Sequence, residues 1–352
     1  MSVITYKCPN CGGELLFDPE SQKFKCEYCL SSFEEGELQN PEESTSIGSE
    51  PKTKYSSRTQ QEEQEAVVYH CPNCGAEIIT DATTAATFCF YCHNPVILSG
   101  RLDGSLKPDC IIPFSIEKEE AIKRFTEWIG KKKFVPHAFF SKDQIEKISG
   151  IYFPYWTFDL QVNGVLHANG ENVRVWTSGD YRYTERSYYS VLRGGRIRFW
   201  DLMKNALKKA DFKLSEGVLP FETDKMIPFS MAFLSGFQAE KRDIEIDDLK
   251  DEVTHQIYGY TTQLLEETAQ EYTSLTDKKY DVTITNSSIQ YLLLPVWILT
   301  YPKKGKTYYY AMNGQTGKVC GVLPVNWKKL LLVSGLITVF VFLILFLGAC
   351  FL

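Results

Sequence analysis

The feature that most restricts the fold of this chain is its last stretch, Leu330–Leu352, which contains no charged residue and no proline. Its 23 residues would form a helix about 34 Å long, slightly more than the bilayer's hydrocarbon core of about 30 Å. Soluble proteins seldom bury a helix that is apolar on every face. The stretch therefore predicts one transmembrane helix at residues 330–352.

The residues around this stretch predict its orientation. Trp327, Lys328 and Lys329 precede it, and an aromatic residue followed by lysines is typical of a cytoplasmic membrane border. The first residues, Met1 to Cys8, contain no apolar core of a signal peptide. We therefore expect a tail-anchored, single-pass protein of the cell membrane, with its N-terminus and most of its chain in the cytoplasm.

Two segments, 63 positions apart, repeat one pattern of cysteines. Each has a Cys-Pro-Asn-Cys-Gly turn and, after a gap of 14 residues, a second pair of cysteines two residues apart. We call each Cys-x-x-Cys turn a knuckle. The eight cysteines are Cys8, Cys11, Cys26, Cys29, Cys71, Cys74, Cys89 and Cys92. This internal duplication predicts two related domains, residues 1–33 and 69–98.

Two knuckles per domain supply the four thiolates with which tetrahedral Zn²⁺ is commonly bound. Four ligands leave no open coordination position, so we interpret both ions as structural zinc and not as catalytic or redox-active centres. A unit of about 28 residues buries little surface, so the ion supplies much of its stability. His70 and His93 adjoin cysteines, but we interpret them as bystanders because the thiolates already complete each site.

These knuckles resemble the zinc ribbon of transcription factor IIB. The layout of two ribbons before a C-terminal anchor resembles bacterial TFIIB-type zinc-ribbon-containing membrane proteins, as do segments 150–159 and 313–318. That family is grouped with phage-shock and SPFH-domain (flotillin-like) envelope-stress proteins. The resemblance implies zinc, a membrane location and a protein partner of the SPFH or phage-shock type, but no defined biochemical activity.

Between the ribbons, residues 34–68 are rich in Glu, Ser, Gln and Thr. Nine acidic and three basic residues between positions 34 and 65 account for the whole net charge of −6, so the rest of the chain is close to neutral. This composition predicts a disordered acidic linker that lets the first ribbon move freely. A neutral body argues against broad nucleic-acid binding, which requires a positive surface.

Residues 101–326 alternate helical and strand patterns, which predicts an α+β body. Apolar residues recur at helical spacing after Ser115 and again from Leu249 to Thr268, and Ser141 to Gln144 form a capping pattern before a short helix. Alternation predicts strands at 152–163, 173–177, 181–192, 280–285, 291–301 and 307–312, and hairpin turns are expected at Asn163-Gly164 and Asn313-Gly314.

The body contains a second, weaker sign of duplication. Residues 112–115 and 227–230 both read Ile-Pro-Phe-Ser, and each is followed by a helical pattern. A strand with the motif Pro-x-Trp comes next in each copy, at Pro154–Trp156 and Pro295–Trp297. The spacing differs between the copies, so a true repeat requires an insertion in the second one.

The sequence has no phosphate-binding glycine loop, no His-Glu metal motif and no nucleophile elbow. We interpret the isolated His137, His167 and His255 as surface or hydrogen-bonded core residues. Three cationic clusters, at 131–133, 193–198 and 303–306, are expected in loops beside turns or helix ends, either solvated or facing anionic lipid headgroups.

The leading hypothesis is a non-enzymatic membrane adaptor that presents its ribbons and body to cytoplasmic protein partners. Candidate contact residues are Leu15, Phe17, Ile78 and Ile79 of the ribbons. The alternative is a membrane-tethered nucleic-acid-binding protein, because zinc ribbons often contact DNA or RNA. A third class is an enzyme that acts on lipid or envelope precursors through the aromatic body.

Overall fold

The computed structural model describes residues 3–38, 42–44, 67–210, 212–303 and 305–350. The strands are β1 (Val3–Thr5), β2 (Leu15–Asp18), β3 (Lys23–Cys26), β4 (Ser32–Phe33), β5 (Glu42–Ser44), β6 (Val67–His70), β7 (Glu77–Thr80), β8 (Thr84–Phe88), β9 (Pro95–Leu98), β10 (Cys110–Ile111), β11 (Ser149–Ser178), β12 (Tyr181–Asn205), β13 (Ile227–Pro228), β14 (Gln238–Glu240), β15 (Ser274–Lys303), β16 (Lys306–Asn313) and β17 (Val319–Val322). The α-helices are α1 (Lys118–Gly130), α2 (Lys142–Ile145), α3 (Phe212–Gly217), α4 (Ile246–Glu267) and α5 (Trp327–Cys350). The predicted α+β class is confirmed.

The chain divides into two units, which we describe separately. The larger unit comprises Met1–Pro154, Leu207–Lys241 and Leu293–Leu352, and the smaller unit comprises Tyr155–Ala206 and Arg242–Leu292. The main sheet has the strand order β13-β10-β15-β11-β14-β8-β9-β1-β5, and its last five strands belong to the larger unit. In the smaller unit, β12 pairs with β11 in antiparallel register.

The first ribbon is part of the larger unit. Its β1 pairs with β9, placing Val3 opposite Leu98, and also with β5, so residues 42–44 of the predicted linker form a strand. The ring of Phe17 contacts that of Phe233 at 5.2 Å between centroids, and the Phe17 N–H donates to the carbonyl of Ser235 at 3.0 Å. The expectation that this ribbon moves freely is therefore wrong, because its apolar side chains pack on the body. Linker residues 39–41 and 45–66 lie outside the described residues.

In the larger unit, α1 forms where helical spacing predicted it and packs beside the hairpin of β15 and β16. Phe125 of α1 meets Tyr310 of β16 in an edge-to-face contact, with ring centroids 4.8 Å apart. Trp297 of β15 donates its indole N–H to the carbonyl of Ile116, two residues before the helix, at 2.9 Å. These contacts fix the start and the middle of α1.

The smaller unit has a similar arrangement built from other residues. The predicted long helix is α4, and its Leu265 belongs to a buried cluster that includes Leu166 of β11 and Val191 of β12. Trp156 of β11 donates its indole N–H to the carbonyl of Ile244, again two residues before a helix, at 2.9 Å. Both predicted amphipathic helices are thus confirmed.

The predicted hairpin turn at Asn163-Gly164 is wrong. Both residues lie inside β11, where Gly164 is opposite Gly195 of β12, and the turn is at Gly179, which has a φ of +56°. A Cβ on Gly164 would lie 2.7 Å from Cγ2 of Thr261 in α4. This glycine therefore permits close packing of helix on sheet and does not form a turn. The strands predicted at 152–163, 173–177 and 181–192 are parts of β11 and β12.

Two local predictions near the chain's shorter elements have different outcomes. The turn at Asn313-Gly314 is confirmed, because β16 ends at Asn313 and its Oδ1 accepts from the N–H groups of Gln315 and Thr316 at 2.9 and 2.8 Å. Ser141 precedes α2 as expected, but its side chain makes no capping hydrogen bond.

The last helix, α5, is long and apolar enough to cross a membrane. Within Trp327–Phe346, the most apolar 18-residue window has a mean hydropathy of 2.6, and none of that window is buried within the protein. Leu330 donates its N–H to Asn326 at 3.0 Å, so the first turn of the helix begins at the predicted border. An apolar helix with no protein cover requires an apolar environment from elsewhere.

Candidate metal centres

Each ribbon is built from two tight turns with the same backbone geometry. After the first knuckle, Gly12 and Gly75 have φ values of +73° and +75°, which glycine adopts without strain. After the second knuckle, Leu30 and His93 take the same region, with φ values of +60° and +57°. In every turn, the N–H of this residue donates to the carbonyl of the knuckle's first cysteine at 2.8–2.9 Å. The duplication therefore extends to the backbone.

These turns bring the eight predicted cysteines into two groups of four. Within each group, the four sulfur atoms lie within 4.8 Å of one another. Sulfur pairs in the first ribbon are 3.5 Å apart and those in the second are 3.7 Å apart. A disulfide has about 2.05 Å between sulfurs, whereas four sulfurs at about 2.3 Å around a tetrahedral ion lie about 3.8 Å apart. The spacing fits a shared metal ion and excludes disulfides.

The apolar surroundings of the clusters bury one side of each site. In the first ribbon, Cys8 and Cys26 lie in a core with Leu15, while Cys11 and Cys29 are exposed. In the second ribbon, Cys71 and Cys89 are buried with Ile78, among other residues, and Cys74 is exposed. Each site is thus held against a small core by two sulfurs, with the other two towards the surface.

The thiol groups differ in acidity before any metal binds. The Ser31 hydroxyl, 3.3 Å from the Cys29 sulfur, lowers the pKa of Cys29 to about 6. Burial raises the pKa of Cys71 to about 12. Metal binding must displace the protons of such thiols, so metal affinity is expected to fall as the pH falls.

Neither of the neighbouring histidines belongs to a cluster. Among the described residues, the groups that could hold a metal contain only cysteines, so His70 and His93 are outside them. The isolated histidines of the body, His137, His167 and His255, likewise join no such group there.

The apolar residues that sequence reasoning proposed for partner contacts are mostly core residues. Leu15, Phe17 and Ile78 are buried, and of the four only Ile79 is exposed. This part of the prediction is wrong because Leu15 and Ile78 lie in the small cores of their own ribbons, while Phe17 packs on Phe233 of the body. The most exposed large side chains of the ribbons lie at the second knuckles instead. They are Tyr28, Leu30, Phe90 and Tyr91, which expose 76%, 83%, 73% and 75% of their surface.

A cleft of about 670 Å³ lies between the two ribbons. It is lined by both sides, with Lys7, Glu14 and Tyr28 from the first ribbon and Asn73 and Asn94 from the second. Sequence reasoning missed this cleft because it depends on the pairing of β1 with β9. The repeated asparagine of the Cys-Pro-Asn-Cys knuckle was a local signal that one wall would be polar.

Two cationic clusters of the body differ in their placement. Lys131, Lys132 and Lys133 follow α1 and are exposed, as predicted. Arg193, Arg196 and Arg198 were expected beside turns, which is wrong, because all three lie within β12. A strand was predicted to end at Leu192, whereas β12 continues to Asn205.

Comparison with known proteins gives one informative relative. No family model matches the chain, and no solved structure matches it. A protein of Bacillus subtilis (strain 168), named uncharacterized protein YdjG, is 34% identical to it over 327 residues. The match covers 93% of this chain and 92% of that protein, so it includes nearly the full length of both. The chain therefore belongs to the same protein family as Bacillus subtilis YdjG.

Proposed function

We propose that the protein is a non-enzymatic adaptor, anchored in a membrane by α5, that presents its zinc ribbons and α+β body to cytoplasmic protein partners. One observation carries this proposal: the second knuckles of both ribbons expose large apolar side chains, Tyr28, Leu30, Phe90 and Tyr91. Burying such side chains is favourable, and leaving four of them in water, with Tyr28 and Tyr91 at matched positions, is typical of interaction surfaces. The knuckles are therefore the proposed contact points.

The proposed cofactor is structural zinc, one ion in each ribbon. The first ion would be held by Cys8, Cys11, Cys26 and Cys29, and the second by Cys71, Cys74, Cys89 and Cys92. Four thiolates at tetrahedral spacing are the usual ligand set of structural zinc, and they leave no position for a substrate. The ions would hold the knuckles in shape and so present their exposed side chains.

The proposed location is the cell membrane, with a single span and the bulk of the chain in the cytoplasm. The apolar, uncovered α5 supports the span, and Lys328 and Lys329 at its start support the cytoplasmic side. Free thiols in two clusters also suit a reducing compartment. The membrane would then confine any bound partner to its cytoplasmic face.

The proposed partner is a protein, and the resemblance to TFIIB-type zinc-ribbon-containing membrane proteins suggests one of the SPFH or phage-shock type. A protein surface with an apolar patch would bury the knuckle side chains, whereas a nucleic acid would require cationic ones. The exposed second knuckle of the first ribbon instead carries the acidic Glu27. Protein contact is therefore the reading that the chemistry favours.

We also propose that the body arose by duplication. The first Ile-Pro-Phe-Ser segment directly follows β10, and the second begins with β13. These two strands pair, with Ile111 opposite Ile227. The two Pro-x-Trp motifs make equivalent hydrogen bonds, Trp156 to Ile244 and Trp297 to Ile116, each two residues before a helix. Equivalent contacts at repeated motifs support a common origin better than the motifs alone do.

The adaptor proposal is tested by crosslinking and affinity purification of the full-length protein from its native membranes. Wild type is compared with two double variants, Tyr28→Ser/Leu30→Ser and Phe90→Ser/Tyr91→Ser. The matched control is Val68→Ser/Ile79→Ser, which removes two exposed apolar side chains that face each other elsewhere on the second ribbon. We expect at least one membrane-associated protein to be recovered with wild type and the control, and to be lost with a knuckle variant.

Zinc content is measured on the same samples by mass spectrometry of the metal, with two ions per chain expected in all of them. A partner lost equally from the control and the knuckle variants would contradict docking at the knuckles. Recovery of nucleic acid with a steep dependence on salt, and of no protein, would favour the nucleic-acid-binding alternative.

A further inference from the structure

The strand β12 has an unused pairing edge. It pairs with β11 along nearly its whole length, from Asn205 opposite Tyr155 to Tyr181 opposite Ser178. Among the described residues it pairs with no other strand. A strand offers backbone hydrogen-bonding groups on both edges, and β12 has 25 residues and no proline to block pairing. This edge can therefore accept another strand.

The side chains of β12 carry more positive than negative charge, although Arg186, Arg193 and Lys204 are ion-paired with Glu171, Glu271 and Glu252. The strand carries six cationic residues, Arg182, Arg186, Arg193, Arg196, Arg198 and Lys204, and only two acidic ones, Glu185 and Asp201. Most of these side chains are exposed. The whole chain has a net charge of −6, so the positive strand is a local feature and not a consequence of composition. Acidic side chains on an added strand would favour its pairing with β12.

The helix α4 covers part of one face of β12, and the other face is open. On the covered face, Val191 is buried and Arg193 forms an ion pair with Glu271. Alternation along the strand puts Tyr188, Leu192, Arg196, Arg198 and Trp200 together on the other face. All five are exposed, and the guanidinium of Arg198 lies over the Trp200 ring at 5.4 Å. We call this row the open row of β12.

We propose that β12 accepts, as an added strand, an extended acidic segment of a partner polypeptide. The backbone edge would supply the hydrogen bonds of β-augmentation, and the open row would select the sequence. This inference deepens the proposed function, because it rests on the protein being an adaptor and names the chemistry of what the body would bind. It does not depend on the knuckles.

The open row predicts the pattern of the bound segment. Carboxylates at two alternate positions would face Arg196 and Arg198, and apolar side chains at two further alternate positions would face Leu192 and Tyr188. In the open row, Gly194 lies between these two groups and has no side chain. This gap leaves room for a side chain of the added strand.

Charge argues against a second copy of this chain on the same edge. Two β12 strands paired in antiparallel orientation around Ile197 would place Arg196 of each copy opposite Arg198 of the other. Like charges directly opposite each other destabilise a strand pair. An acidic partner strand has the complementary charge.

The test is a binding assay with the full-length protein in neutral detergent micelles. The probe is a fluorescent 12-residue peptide with two carboxylates and two aliphatic residues at the alternate positions described above, and binding is measured by anisotropy. Two further peptides have the same sequence but carry N-methyl groups on one or the other set of alternate residues. We expect one methylated peptide to bind like the parent and the other not to bind, because only one edge of an added strand faces β12.

Variants of the protein test the open row. Arg196→Glu/Arg198→Glu is expected to weaken binding of the parent peptide about ten-fold or more, through loss of two charge-assisted contacts and gain of repulsion. The matched control is Lys131→Glu/Lys133→Glu, which changes net charge equally at an exposed site of the larger unit and is expected to leave binding unchanged. Recovery of binding by Arg196→Glu/Arg198→Glu with a peptide whose carboxylates are replaced by lysine would confirm the contact.

Several results would overturn the proposal. Equal binding of both methylated peptides would mean attraction by charge without strand addition. Equal weakening by both pairs of charge reversals would mean a general field effect. Crosslinks from β12 to a second copy, or to residues 45–66 of the same chain, would mean that the edge is already occupied. Any of these results would leave the knuckle experiment valid, so the failure of this inference is distinct from the failure of the adaptor proposal.

Discussion

The hairpin β15–β16 beside α1 and the hairpin β11–β12 beside α4 are alike at their bases and differ in length. Both have a tryptophan that hydrogen-bonds just before the helix. The strand β16 has 8 residues, and its far edge pairs with β17. The strand β12 has 25 residues, about 80 Å at the usual rise, whereas the 22 residues of α4 span about 33 Å. The helix can therefore cover less than half of that hairpin.

The difference in length distinguishes the part of a hairpin that completes a hydrophobic core from the part that extends beyond it. The short hairpin is buried on most of its residues, as expected of a hairpin that completes a core. The long hairpin extends beyond its core cluster around Leu265 and ends in exposed aromatic residues, with Trp176 stacked on Tyr183 at 5.5 Å. The hydrophobic core does not require this extension, so we expect it to have a role other than core packing.

The largest expected effect is that of removing the metal ions, which should destabilise the larger unit and leave the smaller unit intact. Removing both ions with a strong chelator and a thiol blocker costs on the order of 10 kcal/mol at each site. Because both clusters lie in the larger unit, we expect its ribbon strands to lose protection from hydrogen exchange while β11, β12 and α4 keep theirs. The measurement is hydrogen exchange followed by mass spectrometry on the full-length protein.

The control for this experiment is Cys110→Ser/Cys320→Ser, which removes two thiols outside the clusters and should leave both metal content and protection unchanged. Equal loss of protection in both units would show that the smaller unit also depends on metal, and the comparison would fail at that point. Metal content should fall as the pH is lowered, because protons compete for the thiolates.

The two tryptophans test whether the bases of the hairpins are equivalent. Trp156→Phe and Trp297→Phe each remove a buried indole donor and leave a carbonyl without that bond, so each is expected to cost about 1–3 kcal/mol. The free energies of unfolding come from denaturant titrations of the full-length protein. Trp200→Phe, at an exposed position, should change stability by less than about 0.5 kcal/mol. A large cost at only one of the two buried positions would contradict their equivalence.

A glycine pair tests how closely α4 packs on the long hairpin. Gly164→Ala would place a methyl group 2.7 Å from Thr261 and is expected to destabilise the protein by about 1–3 kcal/mol. Gly195→Ala is the matched control, since it lies directly opposite in β12 and its methyl group would meet nothing within 4 Å. Thermal denaturation of both variants would reveal the difference. Equal destabilisation would mean that strand propensity, and not helix packing, determines the effect.

The smallest expected effect is a pH dependence in the smaller unit. Lys278, at 2.6 Å, and the Tyr280 hydroxyl lower the pKa of Glu266 from its ordinary value of 4.5. A lowered pKa stabilises the folded state above the ordinary value, and this contribution is lost as the pH falls through the folded value. Glu266→Gln should therefore cost less than about 1 kcal/mol at pH 7 and nothing at low pH. Unfolding titrations at pH 7 and pH 3 would check this; an equal cost at both pH values would contradict it.

The parts of the molecule that sequence reasoning predicted are those governed by local rules. Cysteine spacing fixes both clusters because each knuckle closes within a few residues, as the donation from Gly12 to Cys8 shows. Helical spacing predicted α1 and α4 because their buried faces repeat every three or four residues. The apolar run of α5 was evident from composition alone.

The errors came from residues whose role is decided by distant partners. Gly164 was interpreted as a turn residue, although its role is to admit Thr261, about 100 positions later in the sequence. Phe17 was interpreted as a partner-contact residue, although its ring packs on Phe233, far away in the sequence. No local pattern in the ribbon predicts that contact.

The hydrogen bond from the Ser235 hydroxyl to the Leu15 carbonyl also sets an order on folding. These residues are 220 positions apart, so the first ribbon leaves the ribosome long before its cover is made. Contacts of such long sequence separation form slowly, because a large loop must close first. During synthesis, the ribbon can close around its metal while Phe17 still lacks its partners. The beginning of the chain is thus among the last parts to reach its final packing, and until then its apolar side chains are open to chaperones or to aggregation.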